Sequence, residues 1–127
     1  MAKILIVDDE PNIREILGHL LECIGHTPIE AGSGLEALKL CDEGDLDVVI
    51  TDLTMPDFSG MELIREIRAN YPDIRIVAVS GNSDRYPGDG LFAAKQAGAS
   101  ATVQKPFALN DIRDAIDLVL SPIRIEC

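Results

Sequence analysis

Acidic residues end two of the most apolar stretches of the chain, where carboxylates can bind a cation or act as nucleophiles. Asp52 follows residues 48–51, and Asp8 and Asp9 follow residues 3–7. Both stretches are almost entirely apolar and rich in β-branched residues, which is typical of buried strands in a parallel sheet. Any one of these residues alone is more often a turn residue at a strand end. Because open α/β sheets bind ligands beyond the carboxyl ends of their strands, the three together are candidates for a functional site.

Two further strand-like stretches end in polar residues. Residues 74–79 lead to Ser80, and residues 101–104 lead to Lys105. The carboxyl ends of parallel strands share one edge of a sheet, so we expect these side chains to meet the three carboxylates there. A like-charged pair ~4 Å apart costs roughly 4 kcal/mol at an effective dielectric constant near 20. Compensating cations are therefore expected, namely the Lys105 amine and a divalent ion that prefers oxygen ligands, of which Mg²⁺ fits best.

This set of groups is suited to phosphoryl transfer. Asp52 could attack phosphorus in line and form an acyl phosphate, while Mg²⁺ and Lys105 neutralise the oxygens of the transferring group. Ser80 could then donate a hydrogen bond to a phosphoryl oxygen. As isolated residues, Ser80 could cap a turn and Lys105 could be a solvated surface lysine. Their joint occurrence at four strand ends favours the functional interpretation, and the absence of a Gly-x-Gly-x-x-Gly or Walker-type phosphate loop disfavours a nucleotide or flavin site.

The rest of the chain supplies elements that can position these groups. Ser33 and Glu36, and again Ser59 and Glu62, have the spacing of a capping box at a helix start. Apolar residues recur at helical spacing after each such start, and Gly25 ends the first helix. Five strands thus alternate with five helices. The pattern predicts a doubly wound, mostly parallel α/β sheet that is covered on both faces.

Length and composition are those of a single domain. The chain has 127 residues and no Trp, so the core should be aliphatic. We expect a domain over residues 1–122 and a short tail over 123–127. Cys23, Cys41 and Cys127 lack the spacing of a zinc site or a disulfide framework. The first two are interpreted as small apolar helix residues, and the two histidines, His19 and His26, as solvated surface residues.

The formal net charge is −11. No basic stripe is present to neutralise phosphates, so direct binding of nucleic acid is not expected. No apolar run is long enough to span a bilayer, and the amino end runs straight into a strand without room for a signal peptide. The sequence therefore predicts a cytoplasmic protein that does not contact a membrane.

Short motifs recur along the chain from residue 3 to residue 120. They are Asp8-Asp9-Glu10-Pro11, Gly34-x-Glu36-Ala37-Leu38, Asp52-x-x-Met55-Pro56, Gly60, Ser80-Gly81, Ala97-Gly98-Ala99 and Lys105-Pro106-Phe107. Together they resemble the receiver domain of two-component response regulators. The resemblance implies a flavodoxin-like fold with strand order 2-1-3-4-5.

The resemblance also implies a role for each acidic residue at the strand ends. Asp52 matches the phosphoryl acceptor. Asp9, Asp52 and the carbonyl of Thr54 match the Mg²⁺ ligands, and Asp8 assists through water. The phosphoryl donor would be a phosphohistidine on a sensor histidine kinase or on a histidine phosphotransfer protein of a phosphorelay. The chain would be a switch with self-catalysed phosphotransfer and autodephosphorylation, not an enzyme, and its partner would be a downstream effector protein or domain.

The same resemblance implies the switch residues, and one of them is replaced. Ser80 matches the switch hydroxyl, Lys105 matches the lysine that pairs with acceptor and phosphate, and Thr54 and Asn82 occupy positions that tune dephosphorylation. Receivers usually carry Tyr or Phe where this chain has Thr102. We therefore hypothesise that phosphorylation reorders a somewhat longer loop at 82–90, drawn by Ser80. This would change the face made by helix four, strand five and helix five.

Two alternatives remain open at this point. A Mg²⁺-dependent aspartyl-phosphate phosphatase resembling the haloacid dehalogenases would need a second carboxylate two residues after the nucleophile, where this chain has Thr54, and no cap insertion is present. A degenerate receiver would bind partners without phosphorylation. Thr102 favours that alternative, whereas the presence of every acidic, hydroxyl and lysine position argues against it.

Overall fold

Strands and helices alternate along the chain. The computed structural model describes residues 2–53, 60–80, 90–104 and 108–120. The strands are β1 (Lys3–Val7), β2 (Thr27–Ala31), β3 (Val48–Asp52), β4 (Arg75–Ser80) and β5 (Ala101–Gln104). The helices are α1 (Pro11–Cys23), α2 (Gly34–Glu43), α3 (Gly60–Asn70), α4 (Gly90–Ala97) and α5 (Leu109–Leu120).

The strands form one parallel sheet in the order β2-β1-β3-β4-β5. Val7 of β1 pairs with Ala31 on one side and with Thr51 on the other, so the carboxyl ends of the three strands are level. The chain leaves β1 toward β2 and returns to β3, which puts the change of direction between β1 and β3. A crevice at the carboxyl edge is expected at that point. The predicted doubly wound fold and its strand order are confirmed.

Two apolar layers cover the sheet. Ile4 and Ile6 of β1 belong to the layer under α1 and α5, whereas Leu5 and Val7 belong to the layer under α2, α3 and α4. Successive side chains of a strand point to opposite faces, so a strand buried on both faces must be apolar at nearly every position. The largest fully buried side chains among the described residues are all Leu or Ile, which confirms the predicted aliphatic core.

Local signals in the sequence explain how the helices begin and end. The Ser33 Oγ accepts a hydrogen bond from the Glu36 amide at 3.2 Å, as a capping box requires. The Glu36 carboxylate in turn accepts from the amide of Gly32 at 2.9 Å. Helix α1 ends at Cys23, and Gly25 follows with a φ of 92°. Ser59, the first residue of the second predicted capping box, lies outside the described residues.

The interpretation of one residue, His26, is corrected. Cys23 and Cys41 both lie in helices, as predicted; Cys23 is exposed in the last turn of α1, whereas Cys41 is buried in α2. His19 is exposed. His26 is not simply solvated: it is half-buried, and its Nδ1 accepts a hydrogen bond from the Ala2 amide at 3.0 Å. Cys127 lies outside the described residues.

Candidate functional site

Three carboxylates meet at the carboxyl edge of the sheet. Since Val7 pairs with Thr51, Asp8 and Asp52 are the next residues along two neighbouring strands. One carboxylate oxygen from each of Asp8, Asp9 and Asp52 lies within 4.8 Å of the others. The structure therefore brings together the three acidic residues that the sequence singled out. Their oxygens are close enough to share one cation.

The cluster has a buried side and an open side. Asp8 is 4% exposed and Asp52 is 7% exposed, whereas Asp9 faces solvent. Buried carboxylates are costly unless hydrogen bonds or cations compensate them. Such an arrangement lets a cation enter from solvent past Asp9 and reach the two buried carboxylates. Hard oxygen donors of this kind are the ligands that Mg²⁺ prefers.

The turn between β1 and α1 is held by hydrogen bonds to Asp8. Its Oδ1 accepts from the Glu10 amide at 2.9 Å, which is an Asx turn, and its own amide donates to the Ala31 carbonyl at 3.2 Å. Pro11 then starts α1 at a position where its missing N–H is not needed. The Asp8 carbonyl accepts from Nη1 of Arg14 at 2.5 Å. The backbone that carries Asp8 and Asp9 is thereby fixed to both β2 and α1.

Helix α3 begins directly against the backbone of Asp52. The Gly60 amide donates to the Leu53 carbonyl at 3.0 Å, and the Leu53 amide donates to the Val79 carbonyl at 2.9 Å. A Cβ built on Gly60 would lie 2.0 Å from the Asp52 carbonyl oxygen and 2.6 Å from the Leu53 Cα. No side chain fits in that space. The glycine is therefore required for the close approach of α3 to the strand end that carries Asp52.

Ser80 is the last residue of β4, the neighbour of β3 in the sheet. It is 4% exposed and pairs in register with Gln104 of β5. Ser80 thus lies at the same edge as the carboxylates, as the sequence predicted. Thr54, Asn82 and Lys105 lie outside the described residues, so their roles stay predictions.

Thr102 lies in β5, on the face that β5 forms with α4 and α5. It is half-buried and lines a groove of about 520 Å³ together with Lys95, Asp111, Asp114 and Leu118. Leu118 is 56% exposed. Because the side chain at position 102 is small, the groove stays open between α4 and α5. Helix α4 contributes Lys95 to the groove, and α5 contributes Asp111 and Asp114.

Sequence reasoning missed Arg14 and its partner Glu30. Nε of Arg14 lies 3.1 Å from Oε1 of Glu30, in addition to the contact with the Asp8 carbonyl. One signal was present. Ile29 packs in the layer under α2, so the adjacent Glu30 points toward α1 by strand alternation. A charged residue on a face that a helix partly covers favours a partner of opposite charge on that helix.

Comparison with known proteins decides the family. The family model described as the response regulator receiver domain matches residues 4–117. The chain belongs to this family. It is a receiver domain of two-component signalling systems, and the receiver has the flavodoxin-like topology that the sequence predicted.

The chain spans most of the length of some relatives and a small part of others. It is 33% identical to chemotaxis protein CheY-3 of Vibrio cholerae, over 92% of this chain and 90% of that protein. It is 31% identical to sporulation initiation phosphotransferase F of Bacillus subtilis, over 90% of both. It is also 35% identical to sensor kinase CckA of Brucella abortus, over 94% of this chain but 12% of that protein.

Solved structures of receivers superpose on this one. A response regulator receiver domain protein from Clostridium thermocellum has a TM-score of 0.86 at 36% identity and covers 94% of both chains. Response regulator protein TrrA from Thermotoga maritima, solved in complex with Mg²⁺-BeF, has a TM-score of 0.82 at 37% identity and covers 94% of this chain and all of that one.

Proposed function

We propose that this receiver accepts a phosphoryl group on Asp52 from a phosphohistidine of a sensor histidine kinase or a histidine phosphotransfer protein. The observation that carries the proposal is the meeting of the Asp8, Asp9 and Asp52 carboxylates within 4.8 Å at the end of β3. Asp52 ends β3, which lies between β1 and β4 in the sheet. Asp8 and Asp9 after β1 and Ser80 at the end of β4 are therefore near enough to take part in the reaction. The chain works as a switch, not as an enzyme with turnover on a small molecule.

Mg²⁺ is the proposed cofactor. Asp9, Asp52 and the Thr54 carbonyl would hold it, with Asp8 assisting through water. The donor set supports this, because it consists of hard oxygens with one solvent-facing and two buried carboxylates. When bound, the ion would neutralise charge on the transferring phosphoryl group. The similarity to TrrA, which was solved with Mg²⁺-BeF, gives further support.

The transfer is an in-line displacement at phosphorus. A carboxylate oxygen of Asp52 forms the new O–P bond as the N–P bond of the phosphohistidine breaks, and the imidazole leaves with the bonding pair. The product is an acyl phosphate on Asp52. Ser80 would then donate its hydroxyl hydrogen to a phosphoryl oxygen, and Lys105 would pair with the negative charge. Hydrolysis by water returns the free carboxylate, at a rate tuned by Thr54 and Asn82.

Phosphorylation then changes a protein-binding surface. Once Ser80 is drawn toward the phosphoryl group, the loop at 82–90 reorders and with it the face of α4, β5 and α5. Thr102 cannot fill the pocket that an aromatic switch residue would occupy. Hydrogen exchange with and without beryllofluoride tests this step: protection across 82–97 should rise, and unchanged protection would contradict it.

We place the receiver at residues 1–122, with 123–127 as a short tail, and in the cytoplasm. Among the helices that the structure describes, none combines the length and the hydrophobicity that a membrane span needs. Cys23 and Cys41 are free thiols, as is common in a reducing compartment. The proposed partners are the phosphohistidine donor and a downstream effector protein or domain.

The test is incubation with acetyl phosphate and MgCl₂, followed by intact mass measurement. We expect one labile phosphoryl adduct in the wild type and none in Asp52→Asn. Asp9→Asn should form the same adduct at much higher MgCl₂. Continuous hydrolysis of acetyl phosphate without a trapped adduct would instead indicate a phosphatase. No adduct and no hydrolysis would indicate a receiver that binds partners without phosphorylation, and either result would overturn the proposal.

A further inference from the structure

We infer that Arg14 is a positioning residue for the cation site, and that Glu30 holds Arg14 in the position where it can act. This inference rests on the proposed function of the Asp8, Asp9 and Asp52 cluster. It adds two residues that do not touch the reacting atoms. Their role is to fix the backbone that carries two of the three carboxylates.

The first step is the contact with the peptide between Asp8 and Asp9. Nη1 of Arg14 donates to the Asp8 carbonyl at 2.5 Å. A peptide group is rigid and planar, so fixing this carbonyl also fixes the amide nitrogen and the Cα of Asp9. Asp9 is the exposed member of the cluster and has the least packing to hold it. The guanidinium therefore anchors the peptide group from which the Asp9 residue extends, and so limits where its side chain can lie.

The second step is the clamp on Arg14 itself. Its Nε donates to Oε1 of Glu30 at 3.1 Å, and its side chain is only 18% exposed. A Cβ on Gly32 would lie 3.3 Å from Nη1 of Arg14, so the glycine leaves room for the guanidinium across the end of β2. The planar guanidinium of an arginine can donate to the Asp8 carbonyl and to the Glu30 carboxylate at the same time. A lysine has a single amine and cannot present donors at two separated positions in this way.

The third step is electrostatic. A guanidinium this close to three carboxylates could fold onto them and compete with a divalent cation. Glu30 supplies a carboxylate on the other side, 49% exposed, and directs the fork toward a neutral carbonyl instead. The guanidinium is thereby engaged by a backbone carbonyl and by Glu30. The Arg14–Glu30 pair is neutral as a whole, so it orders the turn with little effect on the net charge of the site.

Whether Arg14→Gln raises or lowers the affinity for Mg²⁺ distinguishes a positioning role from a simple charge effect. Arg14→Gln removes a positive charge near a cation site, so Coulomb attraction alone predicts tighter Mg²⁺ binding. Loss of positioning predicts weaker binding, by about tenfold, as is typical when residues that orient metal ligands are replaced. Arg14→Lys keeps the charge but loses the fork, and we expect it to bind Mg²⁺ as weakly as Arg14→Gln.

The experiment is an Mg²⁺ titration of the full chain, followed by the amide NMR shifts of Asp9 and Glu10. The matched control is Arg113→Gln, which removes the same charge from an exposed position on α5. Its dissociation constant should stay within about twofold of wild type, because exposed distant charges are screened. Urea unfolding without Mg²⁺ reports separately on stability, and Arg14→Lys decides the question if Arg14→Gln does not fold.

Glu30→Gln tests the clamp. We expect weaker Mg²⁺ binding in the single variant and no additional loss when it is combined with Arg14→Gln, because Glu30 acts through Arg14. Additive losses would overturn the role of Glu30. Wild-type affinity or tighter binding in Arg14→Gln would overturn the inference and leave the proposed function intact. If the wild type itself bound no Mg²⁺, the proposed function would fall first.

Discussion

Gly60 is the residue that lets helix α3 start against the backbone of Asp52. The space next to the Asp52 carbonyl is too small for even a methyl group, since a Cβ there would approach to 2.0 Å. The atoms it would meet belong to backbone and cannot rotate away. The position of the candidate acceptor therefore depends on a residue that has no side chain.

We predict that Gly60→Ala lowers the free energy of unfolding by about 3 kcal/mol, because the methyl group must displace the β3 end. Urea unfolding monitored by circular dichroism measures the change. Gly18→Ala in α1 is the control: its Cβ would lie 3.8 Å from Oε2 of Glu30, an ordinary contact. That variant should gain about 0.5–1 kcal/mol, as alanine is favoured within a helix. Equal effects of the two substitutions would contradict the steric explanation.

Cys41 should make the receiver sensitive to alkaline pH. Burial raises the pKa of its thiol from 9.0 to about 11, and the charge of Asp42 adds to the effect. In the unfolded chain the thiol ionises near pH 9, whereas in the folded chain it stays protonated until about pH 11. The free energy of unfolding should therefore fall as pH rises from 9 to 11. Urea unfolding of wild type and Cys41→Ala measures it, and the alkaline loss should be smaller in the variant.

Arg68 connects the end of α3 with the junction of α4 and β5. Its Nε and Nη2 donate to the Gly98 carbonyl at 3.1 and 2.9 Å, and its Nη1 donates to the Pro72 carbonyl at 2.8 Å. Gly98 has a φ of 129°, and its missing side chain leaves room for the arginine stem. The Ser100 amide then donates to the Ile76 carbonyl at 2.7 Å. One side chain thus ties the end of α4 to a neighbouring helix.

Arg68→Ala should release the end of α4. Hydrogen bonds from a charged donor contribute about 1.5–3 kcal/mol, so amide exchange in residues 94–100 should accelerate well beyond the effect on β1 or β3. Hydrogen exchange followed by mass spectrometry measures this. Arg65→Ala removes an exposed arginine from the same helix and should leave exchange in that segment unchanged. Uniform acceleration across the chain in Arg68→Ala would point to a general loss of stability instead.

Elements were predictable where the signal was local. The capping box at Ser33 and the end of β3 at Asp52 depend on residues within a few positions, and both are confirmed. The amino end of β3, at Val48, also has a contact that no local signal indicates. The carboxylate of Asp47 accepts a hydrogen bond from the Lys3 amide at 2.9 Å. That side chain takes a place in the ladder that a backbone carbonyl would otherwise fill.

For the whole molecule, both the net charge and the cation site should make stability depend on dissolved salts. At −11 the folded chain repels itself, and screening by salt should stabilise it modestly. We predict that MgCl₂ stabilises the receiver more than NaCl of equal ionic strength, by about 2.7 kcal/mol at a hundred times the dissociation constant. Thermal unfolding of wild type and Asp9→Asn measures the difference, which should largely disappear in the variant. Equal stabilisation by both salts would argue against a specific site.

The convergence of Asp8, Asp9 and Asp52 was predictable at this scale, because a parallel sheet must bring the carboxyl ends of its strands to one edge. The pairing of Arg14 with Glu30 was not. It joins residues 16 positions apart, and it depends on which face of α1 packs on β2. Strand alternation predicts the direction of the Glu30 side chain. The direction of Arg14 depends on how α1 is rotated about its axis, which is set by tertiary packing and cannot be predicted from a short motif.

Side chains of β1 and β3 alternate between the two apolar layers, and the same strands end in the acidic cluster. A close-packed interior yields very little to small displacements. When the charge of Asp52 changes, the sheet around it should therefore move very little, because packed side chains hold it on both faces. We expect the conformational change to occur in the connections that follow the strand ends. A chemical change at Asp52 would then rearrange loops while the sheet keeps its shape.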